Sequence, residues 1–189
     1  MISSLSGCQN FRPVVDLTRY YVLSATATAP GANVSSNRDF RVGIGPVEIP
    51  GYLQSSRIVV RRGTNEIHYS ESREWAERLD KGIQRVMAHD VSNLRPSIQT
   101  VTSAWRTDEV KAELYVLIQR FELGDSGEAV LECEWRIVAP ATGQVLHSAR
   151  SSISKKGAPL ASDPRAAVGN LSAALADLSG EIVAALPAP

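Results

Sequence analysis

Apolar and polar positions along the chain change period several times, and each change marks an element. "TRYYVLSATA" (18–27) is aromatic and β-branched and suits a first strand, followed by a small-residue loop over 28–37. Phe40, Val42 and Ile44 then alternate with Arg41, Gly43 and Gly45, the period of a half-buried strand, until Pro46 and Pro50 restrict further pairing. In "RIVVRRGTNEIHYSE" two short runs flank Gly63-Thr64, which predicts a hairpin. From Glu74 the period becomes helical: Trp75, Leu79, Ile83, Val86 and Met87 recur at three and four, with Glu77, Arg78, Lys81 and Arg85 opposite. An amphipathic helix over about 73–89 follows, with Trp75 as its core anchor.

The second half returns to strands. "SIQTVTSAW" is a weak strand, and three long strands follow, separated by Gly124-Asp125-Ser126-Gly127 and Ala141-Thr142-Gly143. In the middle one Ala129, Leu131, Cys133, Trp135 and Ile137 alternate with Val130, Glu132, Glu134, Arg136 and Val138, so one face packs and the other is wetter. Asp163 is placed to cap a last helix and Pro164 suits its first turn. Val168, Leu171, Leu175, Leu178, Ile182 and Leu186 form its apolar stripe. The pattern predicts an α+β fold: an antiparallel β-sheet with hairpins and a C-terminal meander, covered by two amphipathic helices over about 73–89 and 163–186.

Composition narrows the function. A chain of 189 residues with 43% hydrophobic content buries one core, expected over 17–189 with a tether over 1–16. Twenty basic and twenty acidic side chains cancel, which argues against a nucleic-acid partner. No stretch approaches the roughly 20 apolar residues that span a bilayer. The two cysteines, Cys8 and Cys133, are too few for a disulfide framework, and Cys133 sits on the inward face of its strand as a small hydrophobe.

Cys8 differs. Leu5-Ser6-Gly7-Cys8 has the form of a bacterial lipobox, whose cysteine sulfur receives a diacylglycerol. A secretory signal needs a positive segment and about 7 to 15 apolar residues upstream, and "MISS" supplies neither, so a misassigned start or a trimmed front is expected. Each buried methylene is worth about 0.8 kcal/mol, so two or three acyl chains hold a folded domain on a bilayer. Gln9 in place of aspartate after the cysteine favours, by analogy with enterobacterial sorting, the outer membrane.

Chemistry-bearing motifs are sparse. His68 and His147 fall on strands and His89 at a helix end, none with a second ligand at metal-binding spacing, so no metal is expected. No G-x-S-x-G elbow is present, and "GIGPVE" continues through Pro46 into a strand rather than into a helix N-terminus, unlike a phosphate cradle. Glu132 and Glu134 share a strand face with Arg136, the pattern of a solvated surface rather than a general acid and base. No catalytic residue and no cofactor site is assigned.

Three stretches, "RYYVLSA", "VGIGPVEIPGYLQSSRIVVRRGTNEIHYSESREWAERLDKGIQRVM" and "YVLIQRFELGDSGEAVLECEWRIV", together resemble the PqiC/YmbA family, the ABC-type transport auxiliary lipoproteins. The resemblance runs from about Cys8 to the final helix. It implies a lipoprotein anchored in the outer membrane and facing the periplasm, an accessory to an MCE-domain protein of the PqiB type that moves lipid between membranes. The MCE partner would form the conduit, and any ATP hydrolysis would belong to another subunit.

Candidate interface residues are Tyr52 and Leu53, which follow Pro50-Gly51 and either insert into a partner or cap the domain's own core, and the charged rim of Arg57, Glu66 and Glu71. Two functions remain open. One is a lipid-anchored adaptor, which as a homo-oligomeric ring could surround a tubular partner; the other is a carrier enclosing an acyl chain. An apolar cavity favours the carrier, and an exposed edge strand or apolar rim favours the adaptor.

Overall fold

The alternation in the middle long strand folds as its period predicts. The computed structural model describes residues 16–28 and 40–187, and in it Ala129, Leu131, Cys133, Trp135 and Ile137 point to the buried side of β7 (Ala129–Val138), each at most 4% exposed. The preceding strand β6 (Ala112–Gly124) runs antiparallel to it over nearly its whole length, and β8 (Val145–Lys155) completes the meander. The turn between β6 and β7 requires Gly127. Its φ is +88°, and a Cβ there would lie 2.1 Å from the backbone of Ala158.

The other edge of β6 is shared. Its first half pairs with β2 (Phe40–Glu48), as far as Leu117, and its end pairs at Leu123 and Gly124 with β3 (Arg57–Arg62). The hairpin partner β4 (Glu66–Trp75) follows β3, β1 (Arg19–Tyr21) lies outside β4, and β5 (Ile98–Val101) lies outside β2. The α+β class therefore holds, but the sheet is mixed rather than antiparallel. The hairpin and meander are antiparallel, whereas β1–β4, β2–β5, β2–β6 and β3–β6 are parallel. A period of two is common to both arrangements, so alternation carries no information about strand direction, which the long connections decide.

Two helices cover one face. α1 spans Leu79–Leu94, starting later and ending later than the 73–89 expected. Residues 73–75 belong instead to β4, where Tyr21 is in register with Trp75 and the Trp75 amide donates to the Ser56 carbonyl at 2.6 Å. Trp75 and Leu79 share a helical spacing only by coincidence across the strand-to-helix junction. Trp75 is still a core residue, at 7% exposure. α1 ends where Arg95 precedes Pro96, which excludes helical backbone there, and His89 thus lies inside the helix, away from its end. α2 spans Pro164–Ala185, with the Asp163 carboxylate accepting from the Ala166 amide at 3.0 Å and Pro164 in the first turn, as expected.

Ile83, Val86, Met87 and Val91 of α1 and Leu175, Leu178 and Ile182 of α2 pack on Ile44, Leu123, Leu131 and Ile137 of the sheet, all at 0% exposure. A water-sized sphere reaches none of them, whether from outside or from an internal void. The first strand is shorter than the 18–27 expected, and residues after Tyr21 are held by side chains instead of a ladder. Ser172 Oγ accepts from the Ser24 amide, Arg85 donates to the Leu23 carbonyl at 2.9 Å, and Asp90 Oδ1 accepts from the Ala27 amide at 2.9 Å. Burial of Asp90 outweighs its hydrogen bonds from Ala27 and Thr26 and raises its carboxyl above the usual range. β2 also continues through Pro46, where the missing donor coincides with a register shift between Ile44 and Val47.

Candidate partner interface

Because β2 leaves β6 at Leu117 and β3 joins only at Leu123, the edge of β6 in between has no strand beside it. A 3-10 turn over Gly51–Gln54 fills that gap. Leu53 closes it on the core side, at 1% exposure. Tyr52 closes it on the other, its hydroxyl donating to Glu122 Oε2 at 2.8 Å and reaching the Gln119 carbonyl at 3.4 Å. Glu122, itself 1% exposed, also accepts from Arg61 on both oxygens and from Arg120 Nε at 3.0 Å, while Arg120 Nη1 continues to Glu132 at 2.8 Å. Burial works to raise the Glu122 carboxyl, but hydrogen bonds from Arg61, Tyr52 and Arg120 outweigh it and hold the group below its ordinary value. Burial, with Glu122 beside it, pushes the Tyr52 phenol up to about 12.

Next to this network the outer face of the sheet is open. A groove of about 600 Å³ crosses it, floored by Tyr115, Leu117 and Arg136 and walled by Pro46, Glu48, Val145 and Arg150. Leu117, Val145 and Leu146 are 43%, 50% and 43% exposed. The charges along the groove are largely paired: Glu134 takes Arg150 at 2.7 Å and Gln119 at 3.0 Å, and the Arg136 guanidinium lies over the Tyr115 ring. Among the described residues β8, eleven residues long, pairs with β7 alone, so its other edge has no strand partner there to take its backbone donors and acceptors.

The glycines of "GIGPVE" make room for aromatic rings. A Cβ on Gly43 would lie 2.6 Å from the Trp105 ring, and one on Gly45 would lie 3.1 Å from the Tyr115 ring. Trp105 Nε1 and the Tyr115 hydroxyl both donate to Glu113, at 2.9 Å each. Among the described residues no group of three or more His, Cys, Asp or Glu side chains could hold a metal ion, and no helix is long and apolar enough to cross a membrane.

The residues expected at an interface separate. Arg57, Glu66 and Glu71 are exposed around the β3–β4 hairpin. Leu53 is not available to a partner: the turn after Pro50-Gly51 points inward, and its side chain belongs to the core. Tyr52 is half-buried and tied to Glu122. Cys8 lies outside the described residues. Leu117, Val145 and Leu146 were not singled out from the sequence, although an apolar residue at the outward position of β6 and two adjacent apolar residues opening β8 are the signal for an uncovered face. Cys133 is a buried thiol, pushed up to about 12 by burial and by the charge of Glu181.

Fold and surface together define an α+β domain with one packed sheet face and an outer face and edge open to a partner. The chain belongs to the family of ABC-type transport auxiliary lipoprotein components, whose model matches residues 21–183. It is thus an auxiliary subunit of a transport system and a membrane-anchored protein of the cell envelope. Two crystal structures share its fold. One, of an uncharacterized protein, has a TM-score of 0.73 at 17% identity and covers 88% of this chain and 97% of its own. The other, a Xanthomonas campestris protein of the DUF330 family model, has a TM-score of 0.72 at 16% identity over 88% and 93%. No curated protein sequence matches the chain.

Proposed function

We propose that this auxiliary lipoprotein is acylated at Cys8, faces the periplasm from the outer membrane, and is an adaptor that docks an MCE-domain protein of the PqiB type. In that role it supports lipid movement between the membranes and envelope integrity. The observation that carries the reading is the open face of β6–β8 with its β8 edge unpaired among the described residues, where Leu117, Val145 and Leu146 offer an apolar rim and paired charges offer orientation. Several copies in a ring would set this edge around the end of a tubular partner. Arg57, Glu66 and Glu71 form a second, charged rim at the hairpin.

The carrier alternative has little support. An acyl chain needs a pocket of at least ~300 Å³, whereas the side chains named above between sheet and helices are each at 0% exposure. The 600 Å³ groove lies on the outer face and is lined by Glu48, Glu134, Arg136 and Arg150 as well as apolar groups.

The test is recovery of partners from the native envelope. Tagged protein, crosslinked before extraction, is expected to bring down an MCE-domain protein, and Leu117→Asp with Leu146→Asp is expected to abolish this while leaving the fold intact. Absence of any MCE-domain protein from the crosslinked material would refute the adaptor reading. Separately, Cys8→Ala is expected to move the protein into the soluble periplasm.

A further inference from the structure

Three of the large apolar side chains most exposed among the described residues fall within six positions: Leu17 at 74%, Tyr20 at 61% and Val22 at 51%. Tyr20 lies in β1, the outermost strand of its edge among the described residues, and Leu17 and Val22 flank that strand. That strand is fixed by its register with Arg73–Trp75, by the Ala76 amide donating to the Tyr21 carbonyl at 2.9 Å, and by Tyr21 packing against the core. Tyr20, at the centre of the stripe, is therefore held in place by the fold.

Its place in the fold separates it from the groove. Along the path β8–β7–β6–β3–β4–β1, five strand spacings of about 4.8 Å put the stripe about 24 Å from the β8 edge. Its place in the chain ties it to Cys8. Leu17 is nine residue steps from Cys8, so at 3.3–3.6 Å per step the stripe begins at most about 30–32 Å along the chain from the cysteine. An anchor at Cys8 would keep the stripe close to the bilayer surface, where even weak apolar contacts are populated because docking is intramolecular. Around it Arg19 and Arg73 are balanced by Asp16 and Glu74, so the surface carries no net charge to select anionic lipid. Tyr20 adds the amphipathic ring favoured at the headgroup level, and Arg19 can extend its guanidinium to phosphate.

We infer that the Leu17–Tyr20–Val22 stripe is a membrane-docking surface that lays the β1 edge against the lipid headgroup layer and turns the β8 edge away from it. This rests on the acylation of Cys8 proposed above. The partner is a lipid surface recognised through apolar insertion, with little dependence on salt.

The acylated full chain is reconstituted into vesicles of phosphatidylethanolamine and phosphatidylglycerol, with an environment-sensitive nitrobenzoxadiazole dye on Tyr20→Cys or, as the control, Leu146→Cys. Cys133 is buried and does not compete for the dye. Flotation with the vesicles reads the anchor itself; failure to float overturns both anchor and docking. In floated protein the dye at position 20 is expected to brighten several-fold and shift to the blue, unchanged by high salt, while the dye at 146 stays water-like. A water-like dye at 20 in floated protein overturns the docking surface and leaves the anchor standing. Blue-shifted emission at 20 in the non-acylated Cys8→Ala chain without vesicles also overturns it, because the stripe is then covered by protein.

Discussion

Glu122→Ala should be among the most damaging single substitutions outside the apolar core. The wild-type carboxylate is 1% exposed and accepts hydrogen bonds from Tyr52, Arg61 and Arg120, joining the 3-10 turn, β3 and β6 across the place where the sheet changes partners. Removing it leaves two guanidinium groups facing each other beside a small void. Breaking a buried ion pair costs about 3–5 kcal/mol. Arg61 and Arg120 keep 19% and 33% exposure, so water recovers part of that and about 2–4 kcal/mol remains. For a domain of this size the melting temperature should fall by about 5–15 °C. Urea unfolding followed by tryptophan fluorescence should show a lower midpoint with an unchanged slope. Glu122→Gln keeps the volume and an acceptor, and should lose about half as much. The pH dependence has a definite sign. The folded carboxyl lies below its ordinary value of 4.5, so its contribution is complete above that value and is lost as pH falls through the folded value. The gap between wild type and Glu122→Gln should therefore narrow only as pH falls below 4.5 and through the folded value. A loss under about 1 kcal/mol for Glu122→Ala at neutral pH, or a gap that widens in acid, would refute the account of this network.

Leu53→Ala should cost about 2–5 kcal/mol as a cavity in the core, whereas Arg57→Ala on the exposed rim should stay within about 0.5 kcal/mol; equal effects in chemical denaturation would contradict their placement. Gly43→Ala drives a methyl group to 2.6 Å from the Trp105 ring and should cost about 1–3 kcal/mol, with a shift in tryptophan emission as the indole leaves Glu113; an unchanged spectrum and midpoint would show that the ring does not lie there.

Local sequence determined those elements that one period and one set of turn or cap residues could define. The β6–β8 meander, the β3–β4 hairpin and α2 fall where alternation, glycine turns and the Asp163-Pro164 start put them, because their signals come from neighbouring residues. The resemblance to the auxiliary lipoproteins was likewise legible in sequence, and the family match over residues 21–183 carries the chain's role as an envelope transport accessory. Tertiary structure decided what depends on distant partners. Residues 73–75 became strand because β1 and β3 were there to pair with them, against a helical spacing that ran on unbroken into α1. Strand direction came from the connections, and the glycines of β2 were explained only by rings from Trp105 and Tyr115, some sixty to seventy residues away. The burial of Leu53 and Glu122 followed from the gap between β2 and β3, which no local pattern announces. The two exposed apolar patches emerged the same way: an outward leucine or tyrosine in a strand is unremarkable until the sheet shows that, among the described residues, no helix covers it and no further strand pairs beside it.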